Sequence, residues 1–294
     1  MDGIVNVMKP AGMTSHDVVA KLRRVYHTKK VGHTGTLDPD AVGVLPICIG
    51  QATRLVEYFT EKDKTYKVIM KFGSETNTQD ASGEVTITTE LPTLTKAEFC
   101  AVTEQFLGEI QQVPPMYSAI KKDGQPLYKL ARQGVEVEVE ARPVMIHGIK
   151  VLMYNKESAM LEVHCGKGTY IRTLCQDIAR ACGSSAHMTY LMRLSSGIFS
   201  IADAVPLARL EQSETPEQFL QDMNACLEGM PALLVTDDKM ELRIVNGLSQ
   251  KIPGVQDLAE GVVCRAVTAD NALLAIGTVS NQAFQPNKVF KRGE

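Results

Sequence analysis

Tryptophan is absent from this 294-residue chain, and aromatic residues make up only 5% of it. Few flat apolar rings are on offer to stack against sugars, which counts against a carbohydrate-binding cleft. No apolar run approaches the ~20 residues that a membrane-spanning helix requires. The opening Met1-Asp2-Gly3-Ile4-Val5 lacks the basic and apolar regions of a secretory leader, so cytoplasmic residence is expected. Cysteines at 48, 100, 165, 175, 182, 226 and 264 are odd in number, scattered and free of any Cys-x-x-Cys pair, which argues against a disulfide framework. The six histidines form neither a His-x-x-x-His nor a His-Glu-x-x-His pattern. His164 and Cys165 are adjacent and so point to opposite faces of a strand. No metal site is expected. Internal repeats and low-complexity tracts are also missing.

A surplus of positive charge is lacking as well, since the net charge is −3. A nucleic-acid binder is ordinarily basic, but here the charge is unevenly placed. Residues 1–35 hold six Lys/Arg against two Asp/Glu, and residues 119–180 ten against seven. Residues 203–260 reverse the balance, with four against eleven. Local patches govern phosphate binding more than the total does, so the acidity of the late segment leaves the rest free to meet RNA.

What is present is ordinary for a globular protein: 44% hydrophobic and 22% charged residues, at a length suited to one large domain and a small one. The organising stretch is Gly32-His33-Thr34-Gly35-Thr36-Leu37-Asp38-Pro39, a polar loop running into Val42-Gly43-Val44-Leu45-Pro46-Ile47-Cys48-Ile49. The second half reads as a buried strand. A polar loop anchored on a buried strand is where a scaffold presents a reactive group. On pattern alone, an Asp before a Pro in such a loop is more often a turn former bonded to its own backbone.

Around this stretch, Thr14 to Asp17 has the form of a capping box opening a helix that buries Val18, Val19, Leu22 and Val25. Helices are expected at 52–61, 127–133, 169–182 and 217–226, and another begins at the Thr95 capping box and is closed by Gly108. Strands are expected at 4–7, 66–72, 85–87, 135–139, 146–153, 159–165, 262–267 and 273–277, with a polar loop over 74–83. Pro114-Pro115 starts an irregular segment, and Lys121 to Gly124 reads as a basic turn.

Gly35-x-x-Asp38-x-x-Ala41-x-Gly43-Val44-Leu45, preceded by Gly32-His33-Thr34, closely resembles the catalytic-loop motif of the TruB family, the tRNA pseudouridine-55 synthases. Further segments similar to the family follow in its order: Asn6 to Ser15, Lys64-Thr65-Tyr66, Pro114 to Ala119 and Gly168 to Arg172. The resemblance covers at least the first two hundred residues. It implies an α+β pseudouridine synthase fold, with a central mixed, largely antiparallel sheet flanked by helices and loops. Residues 1–235 form the catalytic domain on this reading. Residues 236–294 form a small PUA-like RNA-binding barrel.

The implied activity is conversion of the T-loop uridine of tRNA to pseudouridine. That reaction breaks a ribose–N1 bond, turns the base and joins its C5 to the same carbon, so no redox cofactor or ATP is called for. A carboxylate is needed at the ribose, either as nucleophile or to remove a ribose proton. The resemblance gives Asp38 that place, Arg172 as the cation that keeps it ionised and oriented, and Tyr66 as the ring against the extruded uracil. Tyr170 and Leu191 line the same pocket, His33 helps displace the target nucleotide, and Asp80 and Lys9 are polar neighbours. The implied partner is the T-arm of tRNA, with no membrane and no protein partner, and a monomer is expected. Asp40, Val42 and Gln51 depart from the family pattern, Gln51 standing where a glutamate is common. Two rival readings remain at this level. A glycoside hydrolase would use Asp38 and Asp80 as carboxylates about 5–10 Å apart. A noncatalytic RNA-binding protein would have no use for the Asp38, Tyr66 and Arg172 set.

Overall fold

A computed structural model describes residues 1–291 apart from 119, 123 and 136. Ala119 at the end of the Pro114 segment, Asp123 in the basic turn, Glu136 and the last three residues of the tail thus lie outside the described residues.

The first half runs β1 (Gly3–Lys9), α1 (Ser15–Val25), β2 (Val31–His33), β3 (Val42–Ile49), α2 (Val56–Thr60), β4 (Lys64–Phe72), β5 (Ser74–Thr76), β6 (Val85–Thr88), α3 (Lys96–Glu104) and β7 (Gly108–Gln112). After it come the short β8 (Lys121–Lys122) and β9 (Gln125–Pro126), α4 (Leu127–Arg132), β10 (Arg142–Asn155), β11 (Ser158–Cys165), α5 (Ile171–Ala181), β12 (Ala186–Ser196), β13 (Phe199–Ser200), β14 (Val205–Pro206) and α6 (Leu207–Gln212). The chain closes with β15 (Ala232–Val235), α7 (Asp238–Val245), β16 (Val263–Thr268), β17 (Leu273–Ser280) and β18 (Ala283–Val289).

One large sheet has the order β14-β1-β3-β12-β4-β11-β10-β7, with β13 on β12 and β2 on β3. The β1–β14 and β3–β12 pairs are parallel and the rest antiparallel. The mixed, largely antiparallel sheet expected above is therefore observed. Alternation sends Val5, Val7, Leu45 and Ile47 to one face, under α1, α3, α5 and α6. It sends Ile4, Val44 and Cys48 to the other, where Leu55 and Phe59 join Val267, Leu273, Ile276 and Phe290 of the C-terminal strands. The C-terminal unit thus shares a core with the large sheet, besides having its own around Leu233, Ile244, Leu274 and Phe284.

Both capping boxes form, Thr14 with Asp17 and Thr95 with Glu98. Other expectations need correction. The helix from Thr95 ends at Glu104, and Gly108 opens a strand instead of closing that helix. Loop 74–83 begins with β5, which pairs with β6. Residues 135 and 137–139 are irregular, not a strand. The helix expected over 217–226 is two separate single turns, Pro216–Phe219 and Ala225–Leu227, interrupted by the extended Leu220. The C-terminal strands form an open four-stranded sheet, β15-β16-β17-β18, with no closed barrel among the described residues. Its first strand, Ala232–Val235, pairs with β16. No helix among the described residues is long and apolar enough to cross a membrane.

β12 lies at the centre of the large sheet yet carries no clear period. It has register shifts against β4 at Met188/Tyr190 and Arg193/Ser195, and each one moves the following side chains to the other face. On its other side it pairs with β3 only through Met192–Val42 and Arg193–Gly43. At Gly43 a Cβ would stand 2.2 Å from the Arg193 carbonyl oxygen, so only glycine permits this approach. β2 takes the same edge of β3 further along, at Ile47 to Ile49. Pro46 falls in the gap, where no ladder N–H is required of it.

Candidate active site

Loop 34–41 leaves β2 and returns to β3 at this gap. Asp38 sits at a tight turn closed by its own carbonyl, which accepts from the Ala41 amide at 3.1 Å. The backbone closes the turn, so the carboxylate is left for another use. It meets Arg172 through two contacts, Nε to Oδ2 at 3.1 Å and Nη2 to Oδ1 at 3.4 Å. That is the fork-on-carboxylate arrangement that fixes orientation as well as charge.

Arg172 occupies the first turn of α5, where the helix dipole disfavours a cation. The surroundings offset this. Its guanidinium also donates to the carbonyls of Thr78 and Tyr117, both at 3.0 Å, and Asp80 Oδ2 lies 3.8 Å away. The Arg172 side chain is 7% exposed and that of Asp38 36%, so the pair is held from below and open on the carboxylate side. Gln112 fastens the entry to α5, accepting from the Tyr170 amide at 2.7 Å and donating to its carbonyl at 3.1 Å. Next to Thr78, Gln79 adopts a positive φ of 65°, a strained conformation on the segment that faces Arg172.

The loop is held by side chains reaching its backbone. Lys9 is fully buried, and its ammonium donates to the carbonyls of Pro10, Pro39 and Ala41 at 2.7–2.8 Å. The Ser15 hydroxyl donates to the Leu37 carbonyl and accepts from its amide. Arg193, 1% exposed, donates from Nε to the Val44 carbonyl at 2.6 Å and from Nη2 to the Gly35 carbonyl at 3.1 Å. Its side chain thereby continues the β12–β3 pairing that its own backbone leaves off. Arg193 faces Tyr66 across the β12–β4 ladder.

Burial pushes the Asp38 carboxyl up from its ordinary range; Arg172 and Lys9 pull it back, while Asp80 and Asp40 add to the rise. The net direction is upward, so the arginine moderates burial without overcoming it. A carboxylate raised in this way is the better base or nucleophile. Burial lowers Lys9 to about 8. It also lowers His33 to about 4, helped by His16 and Arg193, which keeps that imidazole neutral. His33 Nδ1 accepts from the Gly35 amide at 3.3 Å, and its ring stands edge-on to His16 at 5.4 Å. Burial raises Tyr66, partly opposed by Arg193, and raises Tyr170; the Asp38 charge reaches both phenols.

The residues named from sequence thus fall into two groups. Arg172, Asp80, Tyr66, Tyr170 and Lys9 each lie within electrostatic reach of Asp38, whereas Leu191 packs in the core and His33 stands on β2. Asp80 Oδ1 is taken up by Thr78 and by the amide and hydroxyl of Ser82, which fixes the side chain beside Arg172. Leu191 is 7% exposed in the large core, paired with Val68. Lys9 spends two of its three donors on the loop carbonyls of Pro39 and Ala41 and the third on Pro10, so it holds the loop from beneath. Arg193 and Gln112 went unremarked in the sequence, because nothing local distinguishes them. A surface hollow of ≈ 420 Å³ between α1 and α6 has none of Asp38, Tyr66 or Arg172 in its lining.

The fold is shared with a solved Cbf5–Nop10–Gar1 complex, at TM-score 0.74 and 26% identity over 98% of this chain and 84% of that one. A solved H/ACA RNP bound to a substrate RNA containing 2′-deoxyuridine matches at TM-score 0.75 and 24% identity, over 99% and 85%. The architecture is that of the pseudouridine synthases. Two family models match in succession, TruB family pseudouridylate synthase (N terminal domain) over residues 23–171 and tRNA pseudouridylate synthase B C-terminal domain over 172–234. The tRNA pseudouridine synthase B of Heliobacterium modesticaldum is 42% identical over 100% of this chain and 97% of its own. That of Clostridium acetobutylicum is 40% identical over 99% and 100%, and that of Listeria monocytogenes 44% over 84% of each. The chain belongs to the TruB family of pseudouridylate synthases.

Proposed function

We propose that this chain isomerises the T-loop uridine of tRNA to pseudouridine, with Asp38 acting at the ribose of a nucleotide turned out of its stack. Family membership supports the reaction, and the names of the relatives support tRNA as substrate. The observation that carries the residue assignment is the Asp38 carboxylate, gripped on one edge by a buried arginine and partly open on the other. In this reading Arg172 orients the carboxylate, Tyr66 and Tyr170 flank the extruded uracil, and Leu191 backs the pocket. His33 stays neutral and presses on the RNA. Asp80 and Lys9 set the charge and the loop without touching substrate.

A carboxylate with a raised pKa suits either attack on the ribose carbon or removal of a ribose proton. The glycoside hydrolase alternative needs a second functional acid, and Asp80 has one oxygen held by Thr78 and Ser82 while the other lies 3.8 Å from Arg172. Residues 236–294 we take to be an RNA-binding PUA-like unit carried by the catalytic domain, residues 1–235. Its support is a separate small core joined to the large sheet by shared apolar contacts. The reading extends to a monomer working in the cytoplasm.

Tritium release from C5-labelled uridine in a T-arm transcript tests the reaction. Release by the wild type together with loss in Asp38→Ala, at unchanged RNA affinity, is the expected result. Turnover by the Asp38→Ala variant rules out the residue assignment, and no release by the wild type rules out the activity.

A further inference from the structure

On the face of the sheet opposite Tyr66, three side chains distant in sequence come together. Asp63 stands immediately before β4, His147 is in β10 and His164 in β11. One donor atom from each lies within 4.8 Å of the other two, and all three residues are exposed. His147 Nε2 and Asp63 Oδ1 are 3.4 Å apart, and the two imidazole rings are 4.7 Å apart at 40°.

The ladder accounts for this arrangement. Cys165 pairs with Ile146 and His164 with Gly148, so His147 is the extra residue of a β-bulge. In a regular ladder neighbouring residues alternate faces. A bulge re-aims the extra side chain, here toward that of His164. Asp63 reaches the same face because His164 pairs with Thr65, two residues beyond it.

We propose that Asp63, His147 and His164 form a binding site for a late first-row divalent transition metal such as Zn²⁺ or Ni²⁺. Two imidazoles and a carboxylate are the donors such ions select, whereas Mg²⁺ and Ca²⁺ take oxygen. Metal–ligand bonds of about 2.0–2.1 Å in a tetrahedron set donors ~3.3 Å apart, the separation already present between His147 and Asp63. The third donor needs only a rotamer adjustment, which its exposure allows. Water completes the coordination. A bound ion ties the turn ahead of β4 to β10 and β11, without involving the Asp38 face.

Untagged, chelator-treated full-length protein titrated calorimetrically with Zn²⁺ or Ni²⁺ tests this. One ion per chain is expected, with Mg²⁺ failing to compete. His147→Ala and His164→Ala, each singly, should weaken binding at least ~10-fold, as metal-site lesions do, and Asp63→Asn should weaken it less. Co²⁺ should give the visible bands of a nitrogen/oxygen site. The metal should raise the Tm of the wild type and not that of the His147→Ala/His164→Ala double variant. Equal binding by that double variant, or a Co²⁺ thiolate band pointing to the cysteines, overturns the proposal.

Discussion

The loop at Asp38 and the junction beneath the C-terminal sheet are both places where distant segments meet, but they balance polar and apolar contacts differently. At the loop, two buried cations and a hydroxyl reach directly for backbone carbonyls, at distances from 2.6 to 3.2 Å. At the junction, Ile4, Leu55 and Phe59 pack against Leu273, Ile276 and Phe290. Polar contacts tie it as well: the buried Arg265 of β16 donates to the carbonyls of Asn224 and Met230, Arg54 donates to the Val289 carbonyl, and Lys288 donates to the Arg54 carbonyl. Gln51 donates to Asp2 and to the Lys291 carbonyl and accepts from the Lys291 amide, and Lys288 pairs with Glu57 at 2.5 Å. Apolar contact is non-directional and tolerates small displacements, whereas a charge-assisted hydrogen bond fixes an atom. Charged donors fix single carbonyls in both regions, and the junction rests on a broader apolar layer than Leu37 and Ala41 give the loop.

The contrast can be broken at the loop first. Asp38→Asn should cut tritium release on the order of 10⁴-fold while leaving Tm nearly unchanged, because the turn is closed by backbone. A large fall in Tm would mean that the carboxylate has a structural part after all. Arg193→Met strands the Val44 and Gly35 carbonyls, costing roughly 3 kcal/mol of stability. It should also lower kcat by about 10²-fold through a loosened loop, without weakening RNA binding. An unchanged kcat would show that the loop keeps its shape unaided.

Lys9 gives a finer test through pH. Its pKa is about 8 in the folded chain, below the ordinary 10.5. Between those two values the unfolded chain holds the extra proton, so this group makes stability rise with pH across that window. Deprotonation also removes one of the three Lys9 donors, two of which hold the loop, and kcat should fall roughly tenfold above about pH 8. Lys9→Met should abolish both slopes. Parallel slopes in the variant and wild type would assign them to other groups. On the acid side, His33 at about 4 lies below its ordinary 6.5, so stability should drop as pH falls from 6.5 toward 4, and less steeply in His33→Asn.

The smallest effect belongs to the junction. Gln51→Glu sets a carboxylate against Asp2 and removes the donor to Lys291, at about 1 kcal/mol or a Tm fall of ~3 °C, with kcat untouched. A change in kcat would show that the two regions communicate.

These regions also differ in how far the sequence revealed them. The strand after Asp38 was legible because a glycine-rich loop running into a β-branched apolar run is a local pattern, but the place of Asp38 in the site came from the resemblance to the family. Arg172 was legible only through its resemblance to the family, since its partner is 134 residues away. β12 escaped notice because two register shifts break its alternation. Arg193 and Gln112 look like any surface arginine and glutamine until pairing brings them to their carbonyls. The same holds for Asp63, His147 and His164, whose spacing carries no ligand signature and which only the bulge in β10 brings together. The departure at Gln51 likewise has no meaning in the sequence, and acquires one when Lys291 is beside it.

The parallel contact between Gly43 and Arg193 has a consequence for the order of events during synthesis. The acid is made early, but the strand that braces its loop emerges about 150 residues later, roughly 8–30 s at ordinary elongation speeds. On the proposed reading of Asp38, a nascent chain on the ribosome carries its acid for some time before the site is complete. Competence, on that reading, arrives late in translation.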